Sequence, residues 1–225
     1  MALSAGIGAI YVTVSHLVRY YSRVDFEAVM TNYNWKNLLK ELSHKLIEGR
    51  EAHYKWELTP ESLASRYLGN PGASEDQIVL AETRLKIRFP PSYREFLKVS
   101  NGWPNSDWTD LQLWSTEEIE WFATRNQDWV WLPDTEERPS VPDSKYFVYG
   151  EDQDPIFLRC EYLQTALEIS SNSGDGDIFL LIPDVVSEDG EWEAWHFGSK
   201  LPGAYRYRSF YELMLKVMEQ GRFIY

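Results

Sequence analysis

The chain has 225 residues, 44% of them hydrophobic, a single cysteine and a net charge of −13. That length and apolar content admit a sizeable core, and one cysteine excludes any disulfide within the chain, which makes a reducing cytoplasm the expected compartment. The acidic balance argues against nucleic acid as a partner, because phosphates would be repelled.

Residues 2–18, ALSAGIGAIYVTVSHLV, carry no Lys, Arg, Asp or Glu. No basic segment precedes the apolar stretch, as a signal peptide would require. A helix of that length spans about 26 Å, short of the ~30 Å hydrocarbon core, so a membrane anchor is not the favoured reading. Residues 1–30 are read as an N-terminal apolar, helical extension whose role stays open: an anchor, a core element or a start-site artefact. Residues 31–225 are read as one domain.

Residues 33–50 predict an amphipathic helix in which Trp35, Leu38, Leu39, Leu42 and Leu46 share a face. Thr59 can cap a short helix that has Pro60 at its first position. Ser74 with Gln77 forms a capping box, so a helix starts at Glu75 and buries Ile78, Ala81 and Leu85. In the following RFPPSYREFLKVSNGW, Pro90 and Pro91 stop anything helical before them. Pro91 suits the first turn of a new helix, where its missing N–H costs nothing. Ser92 with Glu95 offers a competing start. Tyr93, Phe96 and Leu97 share one face, and Asn101-Gly102 can end the helix.

Ser115 and Glu118 suggest a further helix carrying Ile119, Trp121 and Phe122. Residues 133–145 read as a Pro-rich acidic loop. The pattern then becomes strand-like: residues 146–150 and 155–159 flank a hairpin turn, residues 163–170 make a third strand and residues 178–183 a buried one. SEDG at 187–190 turns into EWEAWHF at 191–197. A box of Ser209 and Glu212 opens a closing helix with Phe210, Leu213, Met214 and Val217 at i, i+3, i+4 and i+7. Helices, then an antiparallel meander, then a helix make the fold class α+β, a mostly antiparallel sheet flanked by helices.

No motif carries chemistry. His16, His44, His53 and His196 lack metal-ligand spacing, and the SGDGD run lacks the bidentate Glu that a helix–loop–helix calcium site requires. No metal, no other cofactor and no enzymatic activity are expected. Glu191 and Glu193 alternate around Trp192 on one side of a strand, a solvated face rather than carboxylates opposed across a cleft. Spacing leaves a Cys160–His196 nucleophile–base pair open, but no local motif supports it.

The run from Arg84 to Trp103 resembles the SUKH superfamily, the Smi–Knr-like proteins. Leu85, Pro90 or Pro91, Tyr93, Phe96, Leu97, Asn101 and Gly102 match its signature, and Lys86 stands where glycine is usual. SGDGDIFLL, EWEAWHF and PGAYRYRSFYELM resemble a bacterial subgroup, so the likeness covers roughly residues 33–220. It implies an α+β scaffold with a non-enzymatic, protein-binding role. Many bacterial members resemble immunity proteins that neutralise a toxin; others act as regulatory scaffolds or adaptors.

The charge distribution extends that expectation. Residues 117–193 hold 20 acidic against 4 basic side chains, whereas residues 1–112 hold 13 of each. The stretch is either a solubilising surface or one that meets a basic protein toxin such as a nuclease. The candidate partner-binding residues are Trp103 and Trp108, on a loop after Gly102, with Asp175, Asp177, Glu188, Asp189, Glu191 and Glu193.

Overall fold

The computed structural model describes residues 33–51, 59–104, 112–129, 140–172, 176–198 and 201–220. The 1–30 extension, Trp108 and Asp175 lie outside the described residues.

Seven helices and five strands alternate unevenly along these residues. Helix α1 (Trp35–Glu51) begins as its heptad-like face predicts and continues two residues past Gly49. Short α2 (Pro60–Ser65) is capped by Thr59, whose side chain accepts from the Ser62 N–H. Helix α3 (Glu75–Leu85) has the full Ser74–Gln77 box and buries Ile78, Ala81 and Leu85. Lys86 closes it in the left-handed conformation (φ 58°, ψ 37°), with Ile87 N donating 3.0 Å to Glu82 O. The usual glycine is therefore replaced in identity but not in backbone geometry.

Helix α4 (Pro91–Val99) takes Pro90 as its N-cap, which settles the competition with Ser92. The helix ends through an extended Ser100, and the positive φ falls at Gly102 (78°). A Cβ there would sit 2.5 Å from Leu113 O, so the site requires glycine on two grounds. Arg94 ties α4 back to α3, 2.8 Å from Glu82 and 2.7 Å from Glu75.

The expected helix after Ser115 is a single turn. Strand β1 (Glu120–Trp121) follows, then α5 (Phe122–Arg125). The C-terminal end of the acidic loop is short helix α6 (Asp143–Tyr146). Residues 146–150 and 155–159 do not form strands: 3-10 helices occupy Gly150–Asp152 and Cys160–Gln164. Strand β2 is confined to Leu167–Glu168. Strands β3 (Ile178–Val186) and β4 (Trp192–Phe197) follow, then β5 (Ala204–Tyr207), which the sequence pattern does not reveal, and α7 (Phe210–Gln220).

The sheet order is β1-β2-β3-β4-β5, antiparallel at every step. Helices α1, α3, α4 and α7 pack on one face through Trp35, Phe96, Phe210 and Leu213 against Phe179, Leu181 and Ala194. The other face carries Leu180, Ile182 and Trp195 and is covered by Phe122, Tyr146, Leu158 and Leu163 from the largely irregular segment before β2. Burial on both faces explains why Ile178–Ile182 reads as an unbroken apolar run.

Candidate protein-binding cleft

Strand β3 loses register near its end. Ile182 pairs with Glu193, but the next pair is Val186 with Trp192, so residues 183–185 have no counterpart on β4. The bulge opens a cleft of about 260 Å³ lined by Phe147, Tyr149, Val185, Val186, Ser187, Glu191, Glu193 and Arg208. Phe147 and Val186 are 44% and 54% exposed at its rim. The turn Ser187–Gly190 borders it and presents Glu188 and Asp189 to solvent.

Two carboxylates of this region are buried, contrary to the solvated strand face that alternation predicts. Glu191 is 4% and Glu193 1% exposed. Their partners lie in different layers. Glu191 accepts from Tyr33 Oη (2.5 Å), Ser92 N (2.7 Å) and Ser92 Oγ (2.6 Å), reaching the start of α4. Glu193 accepts from Tyr146 Oη, from Trp195 Nε1 (2.5 Å) and from Tyr149 Oη (2.6 Å). All six donors are neutral groups, and neither carboxylate has an ion-pair partner among the described residues.

The electrostatic consequences follow from burial. Desolvation pushes the Glu191 carboxyl above the usual carboxylate range, opposed by the bonds from Ser92 and Tyr33. Burial, and next the Glu193 charge, hold the Tyr146 and Tyr149 phenols well above their ordinary values, so both stay protonated donors. Burial also raises Glu168, which accepts from Asn126 (2.6 Å) and Arg125 (3.3 Å).

Guanidinium groups lie over the rings of residues 146–149, of which Phe147 and Tyr149 line the cleft and Tyr146 is buried behind it. Arg159 lies 4.5 Å over the Tyr146 ring and 5.3 Å over Phe147, Arg206 4.6 Å over Tyr146, and Arg208 4.7 Å over Tyr149. Arg206 is fully buried and donates to the carbonyls of Tyr146 and Val148.

The sequence candidates thus divide. Glu188 and Asp189 are exposed beside the cleft, and Glu191 and Glu193 line it from buried positions. Trp103 is a correction: it is 0% exposed, because its backbone exchanges two 3.0 Å bonds with Leu113 and the ring packs into the helix-side core. Asp177 is a second correction, 5% exposed, with Oδ2 3.7 Å from His196 Nε2. His196 shares the helix-side face with Phe179, whereas Cys160 is exposed in the layer over the opposite face, so the nucleophile–base arrangement is not built. Phe147, Tyr149, Val186 and Arg208 escaped the sequence reading. The aromatic density of YFVY was the available signal, but its pattern pointed to a strand.

A larger groove, about 640 Å³, runs between residues 150–155 and α7. Its acids Glu151, Glu212 and Glu219 are exposed or half-exposed, the last two beside Arg208 and Lys216, so it lacks the buried charge of the first cleft. Among the described residues no group of three or more His, Cys, Asp or Glu could hold a metal ion, and no helix is long and apolar enough to cross a membrane.

A model of the SMI1 / KNR4 family (SUKH-1) matches residues 72–216. No curated protein matches the chain.

Proposed function

The chain belongs to the SMI1 / KNR4 family (SUKH-1), and from that premise we propose that it is an immunity protein that neutralises a toxin by direct contact. The family includes immunity and adaptor proteins. The toxin's contacting surface is basic, as the substrate-binding face of a nuclease is, and the encounter takes place in the cytoplasm. The protein performs no chemistry on its partner.

One observation carries this reading: an aromatic cleft floored by buried carboxylates and bordered by exposed Glu188 and Asp189. Exposed acids steer a basic partner, and the half-exposed Phe147 and Tyr149 supply the aromatic anchors on which binding energy concentrates. Trp103 and Asp177 are buried and drop out of the interface.

The test is co-expression of the full chain with toxins encoded beside it. Rescue of growth, lost when the Glu188–Asp189 rim is reversed in charge, supports the reading. A stable complex with a resident protein and no rescue from any adjacent toxin would favour a regulatory scaffold instead.

A further inference from the structure

We infer that the cleft is an arginine receptor: it takes one guanidinium side chain of the protein partner, stacked on Phe147 and Tyr149 and hydrogen-bonded to Glu193. This rests on the reading of the cleft as the partner-binding face, and it names the group that enters.

The argument begins with Glu193. A carboxylate has about four acceptor positions. Oε1 accepts two bonds, from Tyr146 and Trp195, and Oε2 accepts one, from Tyr149. Oε2 therefore has the capacity for one more bond, and its present donor, Tyr149, also walls the cleft. Its direct bonds come only from neutral donors; the neighbouring cations Arg206 and Arg208 stand over the Tyr146 and Tyr149 rings, and no ion pair to Glu193 is formed among the described residues. A carboxylate lining a cleft favours a cationic hydrogen-bond donor, because the charge-assisted bond is stronger than a neutral one.

The wall decides which cation. A guanidinium is planar, weakly hydrated and stacks on aromatic rings, whereas an ammonium is a compact, strongly hydrated point charge. The run 146–149 already holds three guanidinium groups of this chain within 5.3 Å of its rings. Arg208 is the loosest: its side chain is 65% exposed, and its one ion-pair contact, to Glu212, spans 3.5 Å. It shows that the Tyr149 face accepts a guanidinium from the solvent side, and a pair so exposed yields readily to a better-placed competitor.

The experiment titrates ¹⁵N-labelled full-length protein with acetyl-Gly-Arg-Gly-amide and with the citrulline version, which is nearly isosteric but uncharged. The reporter is the Trp195 indole N–H, which donates to Glu193. The arginine probe should give a saturable shift with Kd on the order of 1 mM, and citrulline should bind at least about tenfold more weakly. Arg208→Ala, which vacates the Tyr149 ring, should tighten the arginine probe about threefold, and Phe147→Ala should weaken it by about as much. Equal titration by citrulline, or an arginine effect that leaves Trp195 unmoved, would overturn the receptor. Failure of the probe while the toxin still binds would sink the arginine receptor and leave the partner-binding reading standing. Probe binding with toxin affinity unchanged by Phe147→Ala would support the receptor and remove the toxin from this cleft.

Discussion

Glu191 caps a helix whose second residue, Ser92, lies 99 positions before it in the chain: its carboxylate accepts from the Ser92 backbone N–H at 2.7 Å and the Ser92 hydroxyl at 2.6 Å. Pro90, the local N-cap of α4, has no side chain able to accept from these amides. The double proline fixes where the helix starts, and the sheet supplies the acceptor that proline lacks. An anion there also meets the positive end of the helix dipole.

Replacing Glu191 with Gln keeps the shape but leaves one acceptor oxygen for three donors. Stability should fall by about 1–3 kcal/mol in denaturant titration. The pH dependence has a definite sign. The folded protein holds the Glu191 proton more tightly than the unfolded chain does, so between the ordinary Glu value and the raised one it binds more protons. The contribution of Glu191 to stability therefore falls as pH rises through that window. The advantage of wild type over Glu191→Gln should therefore be larger below the window than above it. An advantage that grows with pH would refute the assignment.

Phe96 is fully buried between Trp35 (5.4 Å), Phe210 (5.1 Å) and Tyr93 (6.0 Å). Phe96→Ala should cost about 3–5 kcal/mol, the range for an aromatic cavity. Thermal melting of the variant at the wild-type temperature would show that α4 does not anchor the core.

Lys86 holds φ at 58° without the freedom of glycine. Lys86→Gly should stabilise the protein by roughly 0.5–1 kcal/mol, the relief of left-handed strain less the added freedom of the unfolded chain. The same substitution at exposed Lys40, inside α1, should destabilise by about 1 kcal/mol, and comparing the two by chemical denaturation isolates the conformational cause.

Charge reversal now separates surface from interior. Glu188→Lys with Asp189→Lys should leave stability within about 0.5 kcal/mol of wild type while slowing association with the cognate toxin several-fold at low salt. That effect should fade as ionic strength rises, since the Debye length at physiological salt is about 8 Å. Glu193→Lys should fail to fold, because it sets a cation among Tyr146, Tyr149 and Trp195. Stopped-flow traces that are unchanged by the rim reversal at both salt concentrations would remove the steering role.

What was legible in the sequence was local. The Ser74–Gln77 box, the Thr59 cap, the Pro91 start and the closing stripe of Phe210, Leu213, Met214 and Val217 all depend on residues within a turn or two of one another. The errors lie where distant partners decide. Residues 146–150 carry strand-like aromatics, but the Tyr146 and Val148 carbonyls are met by the Arg206 guanidinium, about 60 positions on, instead of a neighbouring strand. Glu191 and Glu193 alternate as surface residues do, yet Tyr33, Ser92 and Tyr146 draw them inside. Trp103 follows a glycine as loop residues do, but the Leu113 bridge closes over it. Strand β5 lacks β-branched residues, and only its register with β4 makes it a strand.

The two margins of the sheet differ from its middle in a way that bears on how much of the protein a cell can hold. At one margin β1 is two residues long. At the other, β5 turns two amides outward: Ala204 N–H meets the Pro155 carbonyl at 3.1 Å, and Arg206 N–H meets the Gln153 side-chain oxygen at 2.7 Å. A carboxamide thus occupies the place a further strand would take. With one border too short to template growth and the other already occupied, the described margins of the sheet offer molecules meeting at high concentration no open ladder to extend, so abundance does not lead through them to polymerisation.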